Sequence, residues 1–429
     1  MIGFAGLTHL GLVSSVAAAA KGFDVVGYDQ DAVLVDEINR GQLRVVEPGL
    51  PELLASVRSR LTLTADVTDL GRCDVVYIAV DVPTDADSRS DVGPVEALVN
   101  AVAAQAKPGA AIVVLSQVHP GFTRSLRGLV EKPGLARLFY QVETLIFGRA
   151  VQRALEPERF MVGLADPAEP IPPALRQFLE AFGCPILPMR YESAELCKIS
   201  INMFLVASVT TTNMLAEVCE AVGAEWREIA PALRLDRRIG PYAYLTPGLG
   251  VGGGNLTRDL ATIQMLAAQH GTDAGIIDAW NENTAHRQGW VLGLLAREVL
   301  SSVEKPRIGV WGIAYKEDTQ FTKNSPAVAL IQALRDVPVS AYDPAARLGE
   351  SERPAWMRVA SSALDACDGA DALAIMTPWS EFAQADLSDV ASRMRGRLLI
   401  DPFGVVTPEA AAGAGFIHHR LGTGRMPSA

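Results

Sequence analysis

The sequence predicts an α/β protein in which two doubly wound, mostly parallel sheets are joined by a long helical region. Three observations carry this expectation. A strand opens the chain, Met1-Ile2-Gly3-Phe4-Ala5, and leads into a glycine turn, a helix and a second strand. The alternation of short apolar runs with helical stretches resumes at Arg307–Trp311. Between them, Glu192 to Val222 contains neither Pro nor Gly and reads as one long helix.

Composition narrows the functional classes. At 429 residues and 49% hydrophobic, the chain has material for two or three domains with sizeable cores. The net charge is −11, with 38 basic against 49 acidic residues and no basic run. That balance argues against nucleic acid or a membrane surface as partner, while leaving room for local phosphate sites. The five cysteines, at 73, 184, 197, 219 and 367, are dispersed. They form no paired metal motif, so no metal is expected, and a reduced, cytoplasmic location is. No segment approaches about 18 continuous apolar residues, so no transmembrane span is expected. The N-terminus reads as a strand rather than a signal peptide.

In the first unit, Gly6-Leu7-Thr8-His9-Leu10-Gly11 opens a helix over Leu10–Lys21, which Gly22 closes. The second strand, Asp24–Tyr28, ends at Asp29, 18 residues past Gly11. Strand, tight turn, helix, strand and terminal acid make the dinucleotide-binding, or Rossmann, fingerprint. An acid at position 29 suits the ribose diol and repels a 2′-phosphate, which favours NAD. Thr8 stands at the usual middle glycine, so a Rossmann-like domain that binds cofactor poorly or not at all is the competing reading. Val75–Val80 and Ala111–Leu115 are further strands. They deliver Val82, Pro83 and Gln117 to the sheet's carboxyl edge, where ligands bind in such folds. Cys184–Leu187 reads as the last strand of this unit.

On the long helix, Lys198 and Asn202 are one turn apart and share a face. Cys197 points about 100° away from Lys198 and reads as packing. Met203, Phe204 and Leu205 suit core or subunit contact. The stretch Tyr244–Asp259 holds five glycines between Gly248 and Gly254, a density no ordinary helix or strand tolerates. Such a loop brings backbone close to a ligand. A helix over Ile276–Ser301 follows, and then strands Val337–Tyr342, Ala372–Thr377 and Leu398–Asp401. The tail after Gly424 is expected to be loose.

Several of these blocks together resemble the UDP-glucose/GDP-mannose dehydrogenase family. Its loop pattern Pro-Gly-x-x-x-Gly-Gly-Ser-Cys-x-x-Lys-Asp is matched at Pro247, Gly248, Gly252, Gly253 and Asp259. Arg258 stands at the lysine position, and Asn255 at the cysteine. Glu47-Pro48-Gly49-Leu50, Ala194-Glu195-Leu196-Cys197-Lys198 with Asn202, Arg238-Ile239-Gly240 and Gly312-Ile313-Ala314-Tyr315-Lys316 continue the likeness. Gln117 replaces a threonine, Lys323 an arginine, and Asp401-Pro402-Phe403-Gly404 departs from Asp-x-Arg-Asn.

The resemblance implies an NAD-binding Rossmann domain over 1–190, a central helical dimerisation region with the substrate loop over 191–302, and a nucleotide-sugar-binding Rossmann-like domain over 303–429. It implies a homodimer acting in polysaccharide biosynthesis. Glu143, Lys198, Asn202, Asn255 and Asp259 would face the reacting carbon. Gly6, Thr8, Gly11, Asp29, Val82, Pro83, Gln117 and Lys323 would contact NAD. Tyr244, Gly252, Gly253 and Lys316 would hold the nucleotide sugar, with Arg238 reaching the sugar of a partner subunit. The family's cysteine is the nucleophile of a second oxidation, and an asparagine amide is not nucleophilic at neutral pH. The expectation is therefore an NAD-dependent oxidoreductase of a UDP- or GDP-activated sugar limited to one two-electron step. An epimerase that returns the hydride and a catalytically silent binding protein stay open as alternatives. A 2-hydroxyacid-type dehydrogenase does not explain Lys316 and the third domain.

Overall fold

A computed structural model describes residues 1–85, 89–131 and 136–424. The expected tail lies outside them. The chain divides into two compact units, Met1–Ile201 and Asn202–Ala429, and the division falls inside the helix Tyr191–Val222.

The first unit is built on eight strands: β1 (Ile2–Ala5), β2 (Val25–Tyr28), β3 (Leu61–Thr64), β4 (Val75–Ile78), β5 (Ala111–Val114), β6 (Arg137–Gln141), β7 (Phe160–Leu164) and β8 (Ile186–Arg190). Their order is β3-β2-β1-β4-β5-β6-β7-β8, parallel except between β6 and β7. Every residue of β1, β2, β4 and β5 is buried. That is why these strands are unbroken apolar runs rather than alternating ones: helices cover both faces of a parallel sheet. One face packs Phe4, Tyr77 and Phe178 together, with ring centroids 5.1 and 5.5 Å apart. The other packs Val76, Ile112, Leu138 and Ala194. The strand order reverses direction between β1 and β4, so their carboxyl ends flank a crevice.

The long helix is anchored in the first unit by Tyr191, whose hydroxyl donates to the Leu138 carbonyl at 2.6 Å. In the second unit its Asn213 side chain accepts from the Gly248 amide at 2.8 Å, and Thr212 donates to the Tyr244 carbonyl at 3.1 Å. By length and composition this helix alone among the described ones could cross a membrane. The single helix expected over 276–301 is interrupted. Helices Gly275–Gln288 and Trp290–Leu295 meet at Gly289, whose amide is shared between two carbonyls, and a π turn, Ala296–Leu300, follows.

The second unit carries β9 (Ile308–Trp311), β10 (Val339–Tyr342), β11 (Met357–Val359), β12 (Ala372–Ile375), β13 (Leu398–Ile400) and β14 (Ile417–His419). All are parallel, in the order β11-β10-β9-β12-β13-β14. This repeats the left half and centre of the first sheet. The acid ending its second strand is Asp343, only 1% exposed. One of its oxygens accepts from the amides of Ile313 and Ala314 and from the Trp379 indole; the other accepts from the amides of Ala345 and Ala346. Replacing Asp343 with Ala strands these donors in a dry site. A loss of about 3 kcal/mol in the urea unfolding of the second unit is expected.

Candidate functional site

In the first unit, the glycine turn after β1 is shaped by close approach. Gly6 has φ +94°, and a Cβ on Gly11 would fall 1.8 Å from the Gly6 carbonyl oxygen. The helix that follows, α1 (His9–Ala20), can approach the strand only because position 11 is bare. Asp29, ending β2, accepts from the amides of Leu7 at 2.8 Å and Asp31 at 2.9 Å. The carboxylate that suits a ribose diol is thereby held against the turn that suits a pyrophosphate. These residues fit NAD. Bound there, NAD supplies a hydride acceptor.

Thr8 precedes α1 without capping it. Its hydroxyl accepts instead from the Asp81 amide at 3.2 Å, and the Asp81 carboxylate accepts from the His9 amide at 3.1 Å. Val82 and Pro83 continue from Asp81. Gln117 follows Ser116, whose hydroxyl donates to the Val80 carbonyl at 2.6 Å. His9 and Glu47 share a hydrogen bond of 2.8 Å, and the His9 ring lies 4.4 Å from that of Phe147. Glu47 also accepts from the amides of Gly148 and Ala150. Burial pushes the Glu47 carboxyl up, but the hydrogen bonds from His9, Gly148 and Ala150 outweigh it and hold it below the usual range. After β6, Glu143 accepts from the Lys198 ammonium at 3.1 Å. It also accepts from the Leu145 amide and borders a cavity of about 60 Å³ lined by Phe4, Tyr77 and Gln141.

In the second unit, Asn255 is the first residue of the helix Asn255–His270 and is exposed. One turn on, Arg258 and Asp259 are buried. Asp259 accepts from the Asn202 side-chain amide at 2.5 Å and from Arg258 at 3.3 Å. The glycine loop rests on the stretch after β9. Gly253 has φ +79°, and a Cβ there would lie 2.7 Å from the Tyr315 ring. Asn324, itself at φ +55°, donates to the Gly253 carbonyl at 3.0 Å and to the Thr257 hydroxyl at 3.2 Å. Lys316 lies 5.8 Å from the Tyr315 ring centroid, Gly252 is beside Tyr315 and Asn324, and the Lys323 side chain runs beside Gly254.

The second unit thus brings Asn202, Asn255, Asp259, Gly252, Gly253, Lys316 and Lys323 around one loop. It leaves Tyr244 half-exposed, and Arg238 88% exposed and paired with Asp236. Lys323, expected to contact NAD, belongs to the second unit, where its side chain lies beside Gly254. Sequence reasoning missed Asn213, Asn324, Tyr315 as a wall, and Glu47 as a junction. It also missed Glu195, which is buried and accepts from the amides of Gly121 and Thr123. None of these has a spacing that announces its partner.

The cysteines sit elsewhere. Cys219 is buried with Trp226 and Leu245, and burial pushes its thiol up. Burial pushes Cys367 up to about 12 and Cys73 up to about 11. The Cys197 sulfur packs 3.4 Å from that of Met161. Among the described residues, no group of three His, Cys, Asp or Glu side chains is placed to hold a metal ion.

Comparison with known proteins identifies the family. Residues 1–179 match the NAD binding domain of the UDP-glucose/GDP-mannose dehydrogenase family, 192–285 its central domain and 309–408 its UDP binding domain. The chain belongs to that family. It is 31% identical over 418 residues to the UDP-glucose 6-dehydrogenase AglM of Haloferax volcanii, covering 94% of this chain and 96% of the relative. It is 28% identical over 422 residues to the putative UDP-glucose 6-dehydrogenase YtcA of Bacillus subtilis, covering 96% and 97%. A UDP-glucose dehydrogenase structure from Pyrobaculum islandicum superposes with a TM-score of 0.84 at 26% identity, covering 99% and 98%. A UDP-D-ManNAc dehydrogenase from Pyrococcus horikoshii gives 0.82 at 25%, covering 99% of each chain. As a member of this family the chain is an NAD-dependent oxidoreductase, and its UDP binding domain marks a nucleotide sugar as substrate.

Glu47 gives this unit a pH signature. Its carboxyl is held below the unfolded value of 4.5, so the stability it contributes is full above that pH and lost as pH falls through the folded value. In Glu47→Gln the first unit is expected to be weaker by about 1–2 kcal/mol at neutral pH, with the difference shrinking in acid. Urea titrations at stepped pH measure both.

Proposed function

We propose that the chain oxidises a UDP-activated sugar, with a GDP sugar as the alternative substrate, and stops after one two-electron step. The observation that carries this is Asn255 at the position where the family holds its nucleophilic cysteine. The five cysteines all lie outside that loop. Oxidation of a primary or ring alcohol removes a hydride from carbon, for which bound NAD would supply the acceptor, and a proton from oxygen. The Glu143 carboxylate is the proton acceptor in this reading. The Lys198 ammonium stabilises the developing alkoxide, and the Asn202 amide, held by Asp259, is a neutral hydrogen-bond donor for a sugar oxygen. Asn255 can donate a hydrogen bond to an oxyanion but cannot form the covalent adduct that carries an aldehyde to the acid. The product is an aldehyde or a ketone. Thr8, Gly6, Gly11, Asp29, Val82, Pro83 and Gln117 hold NAD in this reading, and Lys316 with Lys323 neutralises ligand phosphate.

The expected yield is one NADH per sugar consumed, read by absorbance against sugar-nucleotide chromatography. Asn255→Cys is expected to raise it to two, with a uronic acid as product. Two equivalents from the unaltered chain would sink the single-step reading. An isomerised sugar without net NADH would identify an epimerase.

The working form in this proposal is a cytoplasmic homodimer. Phe204, Leu215, Val218 and Val222 form one stripe along the long helix, and Phe204 and Val222 are 77% and 68% exposed. A second copy of the same helix is the matching apolar partner, and it would bring the outstretched Arg238 to a neighbouring sugar. Sedimentation equilibrium is expected to give twice 45.7 kDa, and Phe204→Asp with Val218→Asp to give 45.7 kDa.

A further inference from the structure

The crevice between the carboxyl ends of β1 and β4 contains an acid that the reaction does not use. Asp81 is exposed and is the third residue after β4; its carboxylate accepts from the His9 amide at 3.1 Å. That amide is the first of α1, and first-turn amides of this helix are the groups a dinucleotide pyrophosphate binds. The contact is braced from the other side, because the Asp81 amide donates to the Thr8 hydroxyl at 3.2 Å. Thr8 occupies the position where a glycine would leave the backbone open. The segments that follow β1 and β4 therefore make a clasp, the Thr8 hydroxyl on the Asp81 amide and the Asp81 carboxylate on the His9 amide, across the seat of an anionic ligand.

We propose that Asp81 sets the cofactor affinity of this chain: its carboxylate holds the place of the pyrophosphate on α1, and NAD binds by displacing it. The physics has two parts. The His9 amide can serve one anion at a time, so the Asp81 hydrogen bond has to be broken before the pyrophosphate can take it. The displaced carboxylate then remains close to a group of its own sign, a repulsion that water reduces and that salt screens because Asp81 is exposed. Neutralising Asp81 removes both costs and leaves the Thr8 bond, which uses the Asp81 backbone. Asp29 is untouched, so ribose recognition is unaltered.

The inference concerns binding of the cofactor alone and does not depend on how many oxidation steps follow. NADH binding is measured by fluorescence titration of the full-length protein, without sugar. Asp81→Asn is expected to lower Kd about five- to tenfold at low salt, and Asp81→Gly to act in the same direction. The gap between the natural chain and Asp81→Asn is expected to narrow as KCl rises to about 0.5 M, because the repulsion is screened. ADP-ribose displaces NADH in the same assay and should show the same gain. Adenosine, which lacks phosphate, should show none. An unchanged or weaker Kd in both variants would overturn the proposal. So would an equal gain for adenosine, which would mean that the substitution merely loosens the crevice.

Discussion

Backbone amides left without partners where parallel strands end and helices begin set the terms for this chain. A parallel sheet covered on both faces leaves those amides short of water, and each must find an acceptor. Carboxylates from distant segments meet the demand. Asp29 serves Leu7 and Asp31, Glu47 serves Gly148 and Ala150, and Glu195 serves Gly121 and Thr123. Asp343 does the same in the second unit, and Asp401 accepts from Val406. Most of these bonds tie turns to elements far away in sequence, so the turns at the ends of the strands are cross-linked across each unit.

The two sheets answer the same demand with different consequences. In the first, Asp29 at the end of β2 keeps part of its surface toward solvent and so stays within reach of a diol. In the second, Asp343 occupies the corresponding place, but Trp379 and the following turn close over it. The second sheet repeats the topology of a dinucleotide binder while its acid is fully used inside. The stretch after β9 meets the glycine loop through Tyr315, Lys323 and Asn324, and in the proposed function ligand contact in this unit passes to it. A shared strand order thus supports different chemistry, because function lies in the side chains at the edge and not in the sheet.

Asn255 and Asp259 show how narrowly a site can change. Both belong to the opening of one helix, and the Asp259 carboxylate keeps its bonds to Asn202 and Arg258. In the proposed function the Asn202–Asp259 pair serves an oxyanion, while the position that would supply a sulfur nucleophile carries an amide. Nothing about the packing of that helix forces the difference, since Asn255 is exposed. In the proposed function the exchange bears on reactivity and leaves the fold alone.

The sequence by itself determined the strands, the long helix and the glycine loop, because each is written locally, in apolar runs, in the absence of Pro and Gly, or in glycine density. It also marked Asn255, since a departure at one residue of a matched motif is legible without the fold. Tertiary structure decided which groups meet. The Asp81–His9 contact spans β1 and β4, Asn324 reaches back to Gly253, and Glu47 joins His9 to Gly148. The interruption at Gly289 and the placement of Lys323 beside Gly254 belong to the same class. Such pairings depend on chain crossings between distant segments, and no periodicity or spacing along the sequence encodes them.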